Sequence, residues 1–211
     1  MNKVYKEEGF SEIEYSGARK KVLLIGDSIS IGYRPFVKEY LADEFDVTYP
    51  NDNCRNTQFV LTSLRAWANM FEDASTVSVV TFNCGHWDIA HWNCDEESLT
   101  SEQEYAHNVK RIIQRLREFF PQAKIVFFTT TPANMAWSKK LINPRTNEEI
   151  QRYNQIATEV AQQENVIVKD LYKIAQGFGV DSFSDYVHFK DEYSEKLGRF
   201  VSDAILSIIK Q

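Results

Sequence analysis

Two short runs at opposite ends of the chain carry residue types that can perform acid–base and nucleophilic chemistry. Near the C-terminus, Asp185 stands three residues before His188, in a chain with only four histidines. A carboxylate so placed can fix the tautomer of the imidazole, so that the other ring nitrogen accepts a proton from a hydroxyl. Near the N-terminus, Ser28 follows an apolar run and opens a predicted helix, where its hydroxyl is exposed beside helix-terminal N–H groups. Together the three residues predict a serine hydrolase.

Each of these residues also has an ordinary structural interpretation. A serine at the start of a helix is commonly a cap, and aspartate is frequent in turns such as the one around Asp185. Asp181 is a second carboxylate upstream of His188. We favour Asp185 because the shorter span brings its side chain more readily to the imidazole. The combination of Ser28, Asp185 and His188 favours catalysis over the separate interpretations.

The composition predicts one globular domain and argues against two classes of partner. A chain of 211 residues with 43% hydrophobic residues can bury a substantial core. The net charge of −6 argues against binding to nucleic acid or to an anionic membrane surface. The three cysteines are odd in number and widely spaced, which favours reduced thiols. The sequence does not indicate an oligomeric state.

The first residues of the chain differ in character from the rest. Residues 1–19 are polar and acidic and contain no apolar segment of the kind found in a secretory signal. No later apolar run approaches the length that spans a membrane. We therefore predict an N-terminal arm over residues 1–19, a single domain over residues 20–211 and a cytoplasmic location.

The organisation of residues 20–211 is an alternation of strands and helices. The predicted strands are residues 20–26, 46–50, 77–82, 125–128 and 166–168. Five strands alternating with helices predict a three-layer α/β/α sandwich around a five-stranded parallel sheet. Because ligands of such sheets bind outside the carboxyl ends of the strands, Ser28 and the His188 turn are expected to meet at that edge.

The two terminal runs, Gly26-Asp27-Ser28-Ile29 and Asp185-Tyr186-Val187-His188, also carry a family resemblance. In this order, at the two ends of a five-strand α/β pattern, they resemble the first and last sequence blocks of the SGNH, or GDSL, hydrolase superfamily. The resemblance extends over nearly all of residues 20–209. It implies a flavodoxin-like SGNH hydrolase fold, a catalytic triad of Ser28, His188 and Asp185, and no metal or organic cofactor.

The two middle blocks of the superfamily supply hydrogen bonds to the oxyanion, and here this sequence departs from the pattern. The loop after the second strand contains no glycine, and the N–H of Cys54 is predicted to replace the glycine N–H of the family. Gly85-His86-Trp87-Asp88 stands where the family has Gly-x-Asn-Asp. Trp87 therefore replaces the asparagine, and its indole N–H is the predicted donor. Cys54, Gly85 and Trp87 are the predicted oxyanion and substrate-binding residues.

The substrate is predicted from the loops at the same edge. Trp87, Trp92 and Trp137 follow the third and fourth strands, where aromatic side chains either pack the loops or stack against a sugar ring. With no long apolar lid, these residues favour a small-molecule, short-acyl ester, with an acetylated sugar preferred. Arg55, beside Cys54, either binds a substrate carboxylate or is solvated.

Three alternative functions are suggested by parts of the sequence, and two of them lack the motifs that they require. The departures in the middle blocks are compatible with a non-catalytic binding module on the same fold. A flavodoxin-like nucleotide site would need the P-loop lysine or the dinucleotide fingerprint, and the run from Gly26 to Gly32 has neither. His86, Asp88 and His91, flanked by Cys84 and Cys94, match no familiar metal-binding spacing, so no metal is predicted.

Overall fold

A computed structural model describes residues 19–140 and 142–210. It contains one five-stranded parallel sheet with the strand order β2-β1-β3-β4-β5. The strands are β1 (Lys20–Ile25), β2 (Phe45–Thr48), β3 (Val77–Phe82), β4 (Lys124–Phe128) and β5 (Ile167–Lys169). The α-helices are α1 (Ser28–Tyr40), α2 (Thr57–Ala68), α3 (His86–Ile89), α4 (Glu102–Phe119), α5 (Asn147–Gln163), α6 (Leu171–Gln176) and α7 (Asp191–Ile209).

The central strands are apolar on both faces, and this builds two cores. Along β1, Leu23 and Ile25 pack into the core covered by α2, α4 and α5. Val22 and Leu24 point the other way, into the core covered by α1 and α7. Successive side chains of a strand alternate between faces, so a continuous apolar run needs helices on both sides. The predicted three-layer sandwich is confirmed.

The strand order reverses direction at β1. The strands on its two sides, β2 and β3, are reached by connections that run in opposite directions. Ligands of doubly wound sheets bind at such a reversal, outside the carboxyl ends of the strands. Directly after β3, the Asn83 N–H donates to the carbonyl of Ile25, the last residue of β1, at 3.0 Å. This hydrogen bond extends the pairing of β1 with β3 to the edge of the sheet. Ser28 begins α1 at this point.

One helix at this edge differs from the sequence prediction. Residues 86–89 form α3, where the sequence predicts a loop. A four-residue helix is too short to leave a periodic apolar pattern. The predicted N-terminal arm lies outside the described residues, except for Arg19. Among the helices of the described ranges, none has both the length and the apolar character needed to cross a bilayer.

Candidate active site

The Asp185–His188 turn is shaped by its own backbone hydrogen bonds. Asp185 Oδ1 accepts the N–H groups of Val187 at 2.9 Å and His188 at 2.8 Å. An antiparallel bridge between Phe183 and Phe189 closes the base of the turn, and the two rings lie 4.6 Å apart. Because one carboxylate oxygen is held by the turn itself, the other is directed at the imidazole of His188.

Ser28 is presented by the sharp connection between β1 and α1. Asp27 caps the helix, with Oδ1 accepting the N–H of Ile29 at 3.0 Å. Gly26 has no room for a side chain, since a Cβ there would lie 2.5 Å from Ser30 Cβ. Ser28 is the first residue of α1, so its N–H is one of the groups that have no partner inside the helix.

The three predicted catalytic side chains form a hydrogen-bonded line. His188 Nε2 lies 2.7 Å from Ser28 Oγ, and His188 Nδ1 lies 2.7 Å from Asp185 Oδ2. With a proton on Nδ1 donated to the carboxylate, Nε2 is free to accept the hydroxyl proton of Ser28. This arrangement is able to perform nucleophilic catalysis at an acyl carbon.

Asp185, in this line, and Asp27, next to Ser28, have pKa values that are shifted in opposite directions. Burial raises the pKa of Asp185, but hydrogen bonds from His188 and Val187 outweigh it and hold that pKa below the usual value. Asp27 is fully buried, and burial raises its pKa to about 6 despite the Ile29 N–H and the nearby positive charges. Asp185 is therefore the carboxylate that stays ionised beside His188 as the pH falls.

Cys54, the predicted donor in the loop after β2, has a backbone hydrogen-bond partner. The Cys54 N–H donates to the carbonyl of Gly26 at 3.2 Å and holds the second-strand loop against the β1–α1 connection. An N–H already bonded within the backbone is not directed at a substrate. The sequence could not reveal this because the loop has no regular pattern.

Arg55, the next residue, has the backbone conformation that glycine usually supplies. Its φ of 50° lies in the left-handed region, which costs a residue with a side chain roughly 1–3 kcal/mol. Its N–H donates to a side chain, Asn53 Oδ1, at 2.8 Å. The partner of the Arg55 N–H is therefore a side chain, whereas the partner of the Cys54 N–H is a backbone carbonyl.

Gly85 is required by the backbone path after β3. It has φ 154° and precedes α3, and a Cβ there would lie 2.4 Å from Thr130 Oγ1. Thr130 in turn donates its hydroxyl to the carbonyl of Cys84 at 3.0 Å. Gly85 thus sets the direction in which α3, with Trp87, leaves the sheet edge.

Trp87 is held at this edge by a second tryptophan. The ring centroids of Trp87 and Trp92 lie 4.9 Å apart, and the Trp92 indole N–H donates to the carbonyl of Trp87 at 3.3 Å. No group in residues 19–140 and 142–210 accepts a hydrogen bond from the Trp87 indole N–H. The half-buried Trp87 side chain therefore keeps a donor for a ligand.

Asp88 joins the second-strand loop to the third. Its Oδ1 accepts the Thr57 hydroxyl at 2.6 Å, and both of its oxygens lie 3.1 Å from the Thr57 N–H, at the first residue of α2. Asn108 donates to the same hydroxyl at 3.1 Å. Burial raises the pKa of Asp88 to about 6, against the Thr57 hydrogen bonds. This buried contact fixes the loop of Arg55 relative to α3.

Arg145 is a charged residue that the sequence analysis did not single out. Its guanidinium donates to the carbonyls of His86 and Asn143, and its backbone N–H donates to the Tyr186 hydroxyl at 3.0 Å. Arg145 thereby connects α3 to the Asp185–His188 turn, and its charge acts to lower the pKa of Asp27. Nothing in the sequence marks it, because its contacts to α3 and to the turn lie more than forty positions away along the chain.

The histidines considered as metal ligands have separate partners. His86 Nε2 lies 3.2 Å from Thr131 Oγ1, and burial holds the pKa of His86 well below its usual value. His91 Nε2 lies 2.8 Å from Glu149 Oε1, at the start of α5. Within the described part of the chain, no group of three or more His, Cys, Asp or Glu side chains is arranged to hold a metal ion.

Comparison with known proteins decides the family. The model of the GDSL-like Lipase/Acylhydrolase family matches residues 24–195, a range that includes Ser28, Asp185 and His188. The chain belongs to this family. The family resemblance stated from the terminal runs is confirmed, and the protein is, at the level of the family, a hydrolase that acts on esters. No curated protein sequence matches the chain.

Solved structures share the fold of this GDSL-like protein at low identity. A lipase/acylhydrolase from Enterococcus faecalis is 23% identical with a TM-score of 0.70, covering 88% of this chain and 95% of its own. An acetyl xylan esterase is 18% identical with a TM-score of 0.68, covering 90% and 99%. A carbohydrate acetylesterase from Sinorhizobium meliloti is 14% identical with a TM-score of 0.67, covering 90% and 100%. These likenesses concern the fold, and they agree with the three-layer sandwich.

Proposed function

We propose that this GDSL-family protein is a serine esterase that hydrolyses a short-acyl ester through an acyl-enzyme. One observation carries the proposal: His188 lies 2.7 Å from Ser28 Oγ through one ring nitrogen and 2.7 Å from Asp185 through the other. A serine that only begins a helix needs no imidazole, and a surface histidine needs no serine partner. A nucleophile, a base and an orienting carboxylate need this arrangement.

In the first step, Ser28 Oγ attacks the carbonyl carbon of the ester while its proton passes to His188 Nε2. Asp185 stabilises the imidazolium that forms, through the Nδ1 hydrogen bond. The tetrahedral intermediate collapses, and the alcohol leaves with the proton from His188. The acyl group stays bound to Ser28.

In the second step, water takes the place of the alcohol. His188 removes a proton from the water, which attacks the acyl carbon, and the carboxylic acid leaves as Ser28 recovers its proton. Both steps pass through an oxyanion on the same side of the acyl carbon. The chemistry calls for no metal or organic cofactor.

The oxyanion is stabilised by donors from three loops. The Ser28 N–H lies at the start of α1, whose dipole favours negative charge there. The Arg55 N–H takes the place that the sequence predicts for the Cys54 N–H. The Trp87 indole N–H is the third donor. Each such donor contributes about 10²- to 10³-fold to turnover in well-studied hydrolases.

The preferred substrate is a carbohydrate ester with a short acyl group such as acetyl. The neighbouring Trp87 and Trp92 rings, tilted by 41° to each other, offer an amphipathic surface of the kind on which sugar rings pack. Two neighbours in fold carry the names acetyl xylan esterase and carbohydrate acetylesterase, which supports this choice.

The test is hydrolysis of p-nitrophenyl acetate by the wild type and by Ser28→Ala. We expect turnover to fall at least about 10⁴-fold in the variant, with an unchanged circular dichroism spectrum. Ser207→Ala, which removes a hydroxyl bonded within α7, is the matched control and should retain wild-type activity. Activity retained by Ser28→Ala would eliminate the proposal. A preference for octanoyl or longer esters over acetylated sugars would refute the substrate assignment alone.

A further inference from the structure

Arg55 lies beside the nucleophile on the carboxyl edge of the sheet. Its neighbour Cys54 is bonded to Gly26, two residues before Ser28. On its other side, Asn56 caps α2 by accepting the N–H of Phe59 at 3.0 Å. A backbone contact on one side and a side-chain cap on the other therefore hold Arg55 close to the β1–α1 connection.

The backbone at Arg55 favours a residue without a side chain. The φ of 50° belongs to the left-handed region, which glycine enters without a steric penalty. The role proposed for the Arg55 N–H needs only this backbone conformation, and glycine would supply it. The side chain at this position therefore calls for a function of its own.

The guanidinium of Arg55 is available to a ligand. It lies over the ring of Phe59, with Cζ 4.6 Å from the centroid. Nη2 contacts Asp52 Oδ2 at 3.5 Å, the outer limit of a hydrogen bond, and both side chains are exposed, 45% for Arg55 and 61% for Asp52. Such an exposed pair is weak, and most of the five guanidinium N–H donors still face solvent.

We propose that Arg55 binds a carboxylate on the alcohol part of the substrate, so that the ester is an acylated sugar acid or a similar anionic alcohol. The inference rests on the esterase function proposed above. A planar guanidinium matches a carboxylate with two parallel hydrogen bonds, and stacking on Phe59 holds the plane in place. The Asp52 carboxylate already makes a long contact with this guanidinium. A substrate carboxylate would compete with Asp52 for the same donors. A short acyl group has no carboxylate, which leaves the alcohol part to carry the charge.

The experiment compares two acetyl esters that differ in charge, para-acetoxybenzoate and para-acetoxybenzamide. The measured quantity is the ratio of kcat/KM for the anionic ester to kcat/KM for the neutral one. We expect Arg55→Gln to lower this ratio roughly tenfold from the wild-type value, the effect of losing one exposed charge-assisted hydrogen bond. Added salt should lower the wild-type ratio in the same direction.

Three further variants separate charge recognition from damage to the loop. Arg55→Gly keeps the backbone N–H in its preferred conformation and should lower the ratio as much as Arg55→Gln. Asp52→Asn removes the competing carboxylate and should raise the ratio, and the rise should shrink when Arg55→Gln is added. Arg65→Gln removes a guanidinium stacked 4.4 Å from the ring of Phe119 at the far end of α2, and should leave the ratio unchanged.

The outcomes distinguish this inference from the proposed function. A lower ratio in both Arg55 variants and an unchanged ratio in Arg65→Gln support carboxylate recognition. If both esters are hydrolysed but the ratio is the same in the wild type and in Arg55→Gln, the inference is overturned and the esterase function stands. If the wild type hydrolyses neither ester and Ser28 resists covalent labelling, the proposed function fails and this inference fails with it.

Discussion

The two halves of the site are built on different principles. In one half, Ser28, His188 and Asp185 contribute side-chain atoms that are hydrogen-bonded in a line. In the other half, the donors that we propose are N–H groups of the loops after β2 and β3, whose residues depart from the family pattern at Arg55 and Trp87. A proton relay needs particular side chains, whereas a hydrogen bond to an oxyanion needs only an N–H in the right place.

This difference explains how the donor half can depart from the family pattern in its residue types. No other pair of side chains replaces a serine and a histidine in a relay without changing the chemistry. A backbone N–H is present at every residue except proline, so the donor half depends on conformation. Arg55 meets that need with a left-handed φ, and Asp88 fixes the loop by its contacts with Thr57.

The largest effect is expected from the side-chain half, with Asp185→Asn. An amide still accepts the turn N–H groups, but it no longer stabilises the imidazolium of His188, so kcat/KM should fall about 10³- to 10⁴-fold. Asp181→Asn, which changes the exposed carboxylate nearby, is the matched control. Equal losses in the two variants would show that the wrong carboxylate has been assigned.

A smaller effect is expected in the donor half from Trp87→Phe. Phenylalanine keeps an aromatic ring but lacks the indole N–H, so kcat should fall about 10²- to 10³-fold with little change in KM. Steady-state kinetics on p-nitrophenyl acetate measures both. A wild-type kcat in this variant would show that Trp87 only forms a wall of the site.

The third prediction concerns the stability of the donor half. The pKa of Asp88 is raised from 3.8 to about 6, so the folded state binds the proton more tightly than the unfolded chain. The resulting stability is complete below about pH 4 and is lost as the pH rises through 6. Asp88→Asn has no carboxyl group at this position, so it does not lose stability in this way as the pH rises. Relative to wild type, its free energy of unfolding should rise from pH 4 to pH 7 by on the order of 3 kcal/mol.

Urea unfolding at the two pH values measures this difference. Asp73→Asn is the control with the opposite sign, because hydrogen bonds from Ser75 hold the pKa of the exposed Asp73 below its usual value. Removing that carboxylate should make the variant less stable relative to wild type as the pH rises, with most of the change below about pH 4. A pH dependence in Asp88→Asn equal to that of wild type would mean that Asp88 does not link the two loops as a buried carboxylate.

The sequence predicts those parts of the molecule that leave a pattern. Apolar runs of strand length, alternating with helices, predict the three-layer sandwich. The spacing of Asp185 and His188 indicates the turn that contacts Ser28. Helix α3 is not predicted, because a helix of four residues is too short to show a periodic apolar pattern. The sequence does not distinguish the N–H of Cys54 from that of Arg55, because no residue type in this irregular loop fixes its backbone conformation.

The measurement that tests the central claim most directly is covalent labelling with a fluorophosphonate, followed by peptide mass spectrometry. A Ser28 hydroxyl activated by His188 should take up one adduct, on the peptide that contains Ser28, and His188→Ala should abolish it. An unmodified wild-type protein, or an adduct on another residue with Ser28 intact, would contradict the account.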